Sequence, residues 1–210
     1  MKKIIACLLC LTPFVAWPLQ AADTAILQEY LPQSCYQLGR YQQQKSVRGL
    51  VKPIETQGYF AFACDKGLLW HTSAPLTETL IYRLQGATRL VRGDGSQQKL
   101  SGVVQRQLGQ MLNNLLGGNK AYLERAFVIA RSEQGIQLVP RKKRMEKFLQ
   151  RIDIAREQDT VSIRLQHPGG EYTAIRVHAI QSFELLNTSE CSQQLAVERS
   201  ADLCQQLFNP

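Results

Sequence analysis

The stretch of residues 58–82, "GYFAFACDKGLLWHTSAPLTETLIY", decides the fold, because it reads as three short β-strands separated by turns. The breaks between the strands are "DKG" and a Pro-Leu pair. Side chains along a strand alternate between its two faces. The apolar side chains that share a face are Phe60, Phe62 and Cys64 in the first strand, and Leu68 and Trp70 in the second. The stretch predicts strands with one strongly apolar face, which either the rest of the chain or a bound molecule must cover.

The chain beyond this stretch extends the β pattern on both sides of one helical insertion. In residues 160–166, Val161, Ile163 and Leu165 alternate with polar residues, as in an antiparallel strand with one dry and one wet face. Further strands are predicted at 87–93, 126–131, 135–140, 148–155 and 172–180. A long antiparallel sheet usually curls. The predicted fold class is therefore mainly β with helices (α+β), a curved antiparallel sheet covered by helices.

The predicted helices supply that cover. Residues 102–116 have apolar side chains at three- and four-residue spacing, which is typical of an amphipathic helix. Their stripe consists of Val104, Leu108, Met111, Leu112 and Leu115. A shorter amphipathic helix is predicted at 24–31, and a second helical start at Ser34, which is an acceptable N-cap. The helix at 102–116 must bury its apolar stripe against another part of the protein.

The N-terminus has the layout of a secretory signal peptide. Lys2 and Lys3 precede the apolar run "IIACLLCLTPFVAW", and residues 19–21 offer a cleavage site with small residues. No other run is long enough to cross a bilayer. Residues 1–21 are therefore predicted to be a signal peptide, and the remaining chain to be exported and soluble. The formal charge of +8 becomes +6 once the two lysines are removed, so anionic lipid or an acidic partner is a plausible contact.

Cysteine usage agrees with an oxidising compartment. Two of the six cysteines lie in the signal peptide, and the remaining four allow three pairings. Proximity in sequence favours Cys35 with Cys64 and Cys191 with Cys204. The last pair falls in residues 187–210, which are polar and are interpreted as a C-terminal tail that follows a domain of residues 22–186.

No pattern in the sequence indicates an enzyme. The nucleophile motif G-x-S-x-G, the zinc motif H-E-x-x-H and the phosphate-binding loop are all missing, and the three histidines lie in different elements. No cofactor and no metal site is expected. The run "RKKR" at 141–144 either contacts anionic lipid headgroups or a partner, or forms a solvated charged turn. It lacks interleaved aromatic residues, so nucleic acid is not an expected partner.

Several motifs resemble LolA-like proteins, the periplasmic carriers of outer-membrane lipoproteins. They are "YQQQK" at 41–45, Gly49-Leu50, Pro53, "GYFAF" at 58–62 and "GLLWHTSAP" at 67–75. The resemblance covers about residues 24–185. It implies an incomplete, strongly curved antiparallel β-barrel whose lid helices cover an apolar cavity. It also implies a monomeric carrier that takes acylated cargo, a lipoprotein or glycolipid, from an inner-membrane exporter to an outer-membrane acceptor.

The resemblance makes the helix at 102–116 the candidate lid, and on it we expect the stripe of this helix and the apolar face of the sheet to line the acyl-chain cavity. The expected ligand-binding residues are Phe60, Phe62, Leu68, Trp70, Leu108, Met111, Leu112 and Leu115. The same residues would equally form an ordinary filled core. One departure from the family is clear: its arginine before the tryptophan strand, which helps lid closure, is replaced here by Cys64.

Two other classes of function stay open at this point. One is a non-transport envelope binding or assembly protein, which would use the same half-barrel as a protein-docking surface. The other is a hydrolase with an unrecognised site. A carrier predicts a lipid-accepting cavity, whereas a docking protein predicts a filled core and a stable partner.

Overall fold

The computed structural model describes residues 25–31, 34–100, 102–195 and 197–209, and leaves the side chains of 25, 103–106 and 108 undescribed. The signal peptide predicted for residues 1–21 lies outside this part. The helices are α1 (Ala25–Tyr30), α2 (Val103–Leu116), α3 (Lys120–Ala126), α4 (Lys143–Glu146), α5 (Thr188–Gln194) and α6 (Ser200–Phe208). The strands are β1 (Tyr36–Lys45), β2 (Ile54–Ala63), β3 (Gly67–Ala74), β4 (Glu78–Arg83), β5 (Thr88–Arg92), β6 (Gln97–Leu100), β7 (Phe127–Ser132), β8 (Gly135–Pro140), β9 (Arg151–Glu157), β10 (Thr160–Gln166) and β11 (Tyr172–Phe183).

All eleven strands form one antiparallel sheet in the order β6-β5-β4-β3-β2-β1-β11-β10-β9-β8-β7. Consecutive strands are neighbours within β1–β6 and within β7–β11, and the two halves of the sheet meet where β1 pairs with β11. The sheet does not close, because β6 and β7 stay at opposite edges. The chain joins these two edges through α2 and α3, so the predicted fold class, a curved half-barrel covered by helices, is confirmed.

The concave face holds the main core. Side chains from both halves of the sheet, such as Phe60 and Ile163, are buried there together with α1 and α2. Phe60 lies opposite Trp70 and Phe62 opposite Leu68 in the ladder between β2 and β3. Residues opposite each other share a face of the sheet. The predicted parity of these four side chains is therefore confirmed.

The prediction of a helix starting at Ser34 is wrong. Residues Tyr36–Lys45 form β1, whose backbone pairs with β2 along its entire length and with β11 on its other side. Ladders on both sides satisfy most backbone donors and acceptors of the segment, with one irregularity between Leu38 and Arg40 on the β11 side, and this outweighs a weak local helical preference. Gly39 had already made that helix a poor one.

The interpretation of residues 187–210 as a polar tail also needs correction. The segment forms α5 and α6, which pack against the convex face of the sheet and create a second core. Its buried side chains include Cys191, Leu195, Leu203, Cys204, Leu207 and Phe208. Two disulfides join Cys35 to Cys64 and Cys191 to Cys204, as proximity in sequence predicted.

Candidate functional site

The concave face of β1–β3 is built from an aromatic cluster. Trp70 stacks on Tyr41 with ring centroids 3.9 Å apart, and the ring centroid of Phe60 lies 6.1 Å from that of Trp70. Tyr41 reaches past Gly58, because its hydroxyl is 2.7 Å from Oγ1 of Thr72. Burial raises the pKa of Tyr41 to about 12, so the hydroxyl stays neutral. The cluster holds Trp70 in one place, half-buried and facing the helices.

Helix α2, the candidate lid, covers this cluster. Met111, Leu115 and Leu116 are buried against the concave face, and Leu112 is half-buried. Gly109 makes the closest approach to the sheet, because a Cβ there would lie 2.1 Å from Cδ2 of Tyr82. Only glycine lets the helix lie this close to the tyrosine ring.

The C-terminal end of α2 rests on the base of β1 and β2. Nε2 of Gln37 donates a hydrogen bond to the carbonyl of Leu116 at 3.3 Å. A Cβ at Gly117 would lie 3.2 Å from Cζ of Phe62 and 3.8 Å from Cβ of Cys64. The lid therefore ends over the Cys35–Cys64 disulfide, at the position where the resembled family has its arginine.

Three features lower the stability of α2 itself or of its packing against the sheet. Its N-cap is Gly102, which has no side chain to accept from the first helical N–H groups. Gly109 lowers the helix propensity of its centre. Asn113 is buried, yet its Oδ1 has no hydrogen-bond partner among the described residues. A buried oxygen without a partner costs about 1–3 kcal/mol, so the closed position of this helix is less stable than its apolar stripe suggests.

The described part of the concave face leaves little empty space. A fully apolar space beneath the helices has a volume of about 20 Å³, room for a single water molecule. It lies where the end of α1, the lid helix and both halves of the sheet meet. Its lining consists of Leu31, Trp70, Leu112, Leu115, Leu116, Val161, Ile163, Ile175 and Val177.

The residues predicted for the cavity are brought together. Phe60, Phe62, Leu68 and Met111 are buried in the concave core, and Trp70, Leu112 and Leu115 line the remaining space. Leu108 lies in α2, but its side chain is outside the described part. Ligand binding by this set stays a prediction.

The sequence analysis did not include the other half of the lining. Val161, Ile163, Ile175 and Val177 come from β10 and β11, and Leu31 follows α1. Alternation in residues 160–166 had marked two of these side chains as dry, but not which surface they face. The sheet order supplies that information, since β11 pairs with β1.

Two further properties of the described residues bear on function. They contain no group of three or more His, Cys, Asp and Glu side chains placed to hold a metal ion. No helix among them is long and apolar enough to cross a membrane.

Comparisons with known proteins give distant likenesses only. No family model matches the sequence, and no curated protein matches it. Among solved structures, a DUF1329 family protein from Desulfovibrio piger is 11% identical, with a TM-score of 0.44 over 82% of this chain and 95% of the other. A LolA superfamily protein from Nitrosomonas europaea is 10% identical, with a TM-score of 0.44 over 77% and 91%.

A third solved structure, from Vibrio parahaemolyticus, is described as an outer-membrane lipoprotein-sorting protein domain. It is 6% identical, with a TM-score of 0.40 over 81% of this chain and 90% of the other. The Nitrosomonas protein bears the name of the superfamily that the sequence resembles. Likenesses at this distance transfer neither a function nor the role of a residue to this chain.

Proposed function

We propose that the protein is a non-enzymatic periplasmic carrier that shields the acyl chains of a lipoprotein or another lipidated envelope molecule between the inner and the outer membrane. The observation that supports this proposal most is that a helix covers the concave face of the sheet. The apolar concave face of an unclosed sheet is covered by α2, a weakly attached helix between the two sheet edges, and not by further strands. A helix can leave such a face without breaking the sheet.

Loading requires the lid helix to move. The apolar space of about 20 Å³ is far too small for an acyl chain. The chain therefore takes the place of the stripe of Met111, Leu112 and Leu115. A dozen CH₂ groups transferred from water contribute about 10 kcal/mol, which offsets the loss of the helix contacts.

Release requires the two states to be close in free energy. The stripe of α2 and an acyl chain bury similar apolar surface on the same face, so exchanging one for the other is nearly balanced. An acceptor that binds the cargo then shifts the equilibrium back to the closed state. No covalent step is involved.

One observation favours a second candidate, a non-transport protein that docks a protein partner. The concave face is already filled by the chain itself, as in an ordinary core. In that case the half-barrel would be a rigid scaffold, and its outer surface would bind the partner.

Trp70 provides the experiment that separates the two candidates. In a full-length Trp17→Phe variant, Trp70 is the sole tryptophan. A fatty acid brominated along its chain quenches tryptophan fluorescence at short range. A carrier should show saturable quenching of Trp70, and native mass spectrometry without detergent should detect co-purified acylated molecules.

The matched pair of variants is Leu112→Glu and Asn114→Glu, which add the same charge to opposite faces of α2. We expect Leu112→Glu to change the binding curve and Asn114→Glu to leave it unaltered. A folded protein without quenching and without extractable lipid would refute the carrier and favour the docking protein.

A further inference from the structure

A groove of about 320 Å³ lies beside the lid helix, between α2, α3 and the segment that holds α4. Gln107 and Gln110 of α2 form one wall. The opposite side combines two kinds of side chain. The cationic ones are Arg125, Lys142 and Arg144, and the aromatic or apolar ones are Tyr122, Met145 and Phe148.

Among the residues that the structure describes, the three cations of this groove have no anionic partner. Within the described ranges, no carboxylate lies within salt-bridge distance of Arg125, Lys142 or Arg144. Glu124 and Glu146 are exposed neighbours along the chain that do not pair with them. Arg125 lies in the last turn of α3, where a cation interacts favourably with the helix dipole whatever the protein does. The same explanation applies to Arg144 in the last turn of the short helix α4, but not to Lys142, which is the N-cap of that helix.

The neighbouring Arg141 holds the two cationic segments together. Its Nε donates to the carbonyls of Glu124 and Phe127 at 2.9 and 2.8 Å. Its backbone N–H donates to the carbonyl of Ala126. These bonds fix the start of the 141–144 segment against α3 and so place Lys142 and Arg144 on the same groove as Arg125. Of the four cations in "RKKR", Arg141 is therefore structural, and two line the groove.

The floor of the groove leads into the core. Tyr122, Met145 and Phe148 are half-buried and pack against the concave cluster under α2. Burial raises the pKa of Tyr122, so its hydroxyl stays neutral. The cations lie at the solvent-exposed mouth of the groove, and the apolar side chains lie deeper, next to α2. Such an order matches a molecule with an anionic head and an acyl tail.

We propose that this groove binds the anionic headgroup, a phosphate or carboxylate, of a single acylated molecule whose tail enters beneath α2. This rests on the proposed carrier function and adds the chemical class of the cargo: an anionic amphiphile. Guanidinium and ammonium groups form charge-assisted hydrogen bonds with phosphate oxygens. In this proposal the cargo first contacts the protein at the groove, on this side of α2, before its tail enters beneath the helix.

The test compares two probes with the same tail, dodecyl phosphate and dodecanol, each below its aggregation concentration and each read by Trp70 fluorescence in the Trp17→Phe background. The variant is Arg125→Gln with Lys142→Gln and Arg144→Gln. The matched control is Lys45→Gln with Lys52→Gln and Lys99→Gln, three exposed lysines outside the groove. Both variants remove the same net charge.

We expect the groove variant to bind dodecyl phosphate at least tenfold more weakly, the control variant to change by less than twofold, and both to bind dodecanol like the parent protein. Equal losses in the two variants would overturn the proposal in favour of a general charge effect. A parallel loss of dodecanol binding would overturn it in favour of a structural role.

Two further arms separate the possible sources of the anion. If inorganic phosphate binds as tightly as dodecyl phosphate, the proposal that the groove binds an amphiphile is refuted. It is also refuted if phosphatidylglycerol vesicles bind through the groove and dodecyl phosphate does not. Failure of the groove and failure of the carrier are distinguishable. Dodecanol binding without a headgroup preference refutes the groove alone, whereas headgroup binding without any change at Trp70 refutes the carrier.

Discussion

Gly109 is the position at which a single methyl group should open the lid. A Cβ added there would lie 2.1, 2.4 and 2.7 Å from Cδ2, Cε2 and Cγ of Tyr82. Carbon atoms pack at about 3.5–4.0 Å, so either the ring or the helix must move by more than 1 Å. Turning the ring about its own axis does not relieve the contact with Cγ. The substitution Gly109→Ala therefore pushes α2 away from β4.

The magnitude follows from two opposing effects. Overpacking a filled core costs about 1–3 kcal/mol, whereas alanine in place of glycine stabilises a helix by about 1 kcal/mol. Because the clash includes Cγ, we place its cost in the upper half of that range and expect a net destabilisation of about 1–2 kcal/mol. In a Tyr82→Ala background the clash is gone, and Gly109→Ala should instead stabilise the protein by about 1 kcal/mol.

The assay is a double-mutant cycle measured by urea unfolding, followed by circular dichroism. A change of sign between the two backgrounds gives a coupling energy of about 2–3 kcal/mol. A destabilised closed state should also raise the affinity for an acyl probe, about tenfold for each 1.4 kcal/mol. If Gly109→Ala has the same effect in both backgrounds, the helix does not touch Tyr82, and the inference about the lid fails.

Three further predictions concern other parts of the molecule. Replacing Cys191 and Cys204 together by alanine should lower the free energy of unfolding in urea by about 3 kcal/mol, because the bridge closes a loop with a sequence separation of 13; an equal stability of both proteins would contradict this. Burial lowers the pKa of His71 below its usual 6.5 in the folded protein. The unfolded chain therefore binds more protons than the folded protein once the pH drops through 6.5, and the free energy of unfolding falls. Replacing His71 by glutamine should flatten the dependence of this free energy on pH between pH 7 and 5. Asn113→Leu should raise the melting temperature and weaken acyl-probe binding, since it removes the buried oxygen that destabilises the closed lid; lower stability would indicate that Oδ1 has a partner.

Much of the sheet was predictable because its information is local. In residues 58–70 the alternation of large apolar side chains fixes which ones share a face, and one turn between two strands fixes their pairing. Phe60 opposite Trp70 and Phe62 opposite Leu68 follow from these two facts. The stripe on α2 was equally local, since a helix repeats every three to four residues.

What the sequence did not reveal depends on distant contacts. The strand nature of residues 36–41 comes from a ladder with β11, about 140 positions away along the chain. In α6 the pairs Leu203–Leu207 and Cys204–Phe208 form an apolar face at four-residue spacing, but surrounding polar residues masked it. The cationic groove depends on bonds from Arg141 to the end of α3, which no local pattern indicates.

The weaknesses of α2 decide how the proposed carrier would work. In the closed state Met111, Leu115 and Leu116 bury apolar surface that an acyl chain would bury equally well, so this large contribution nearly cancels between the two states. Smaller contributions then set the balance. The lone oxygen of Asn113 disfavours the closed position by about 1–3 kcal/mol, which is roughly five- to a hundredfold in the lid equilibrium, since 1.4 kcal/mol corresponds to tenfold. Gly109 acts in the opposite direction, because it permits the close contact with Tyr82, and the glycine N-cap costs only about a few tenths of a kcal/mol. A chain with an apolar residue at position 113 would fold more stably and would accept cargo poorly, so a weak point of the closed lid is the part on which loading depends.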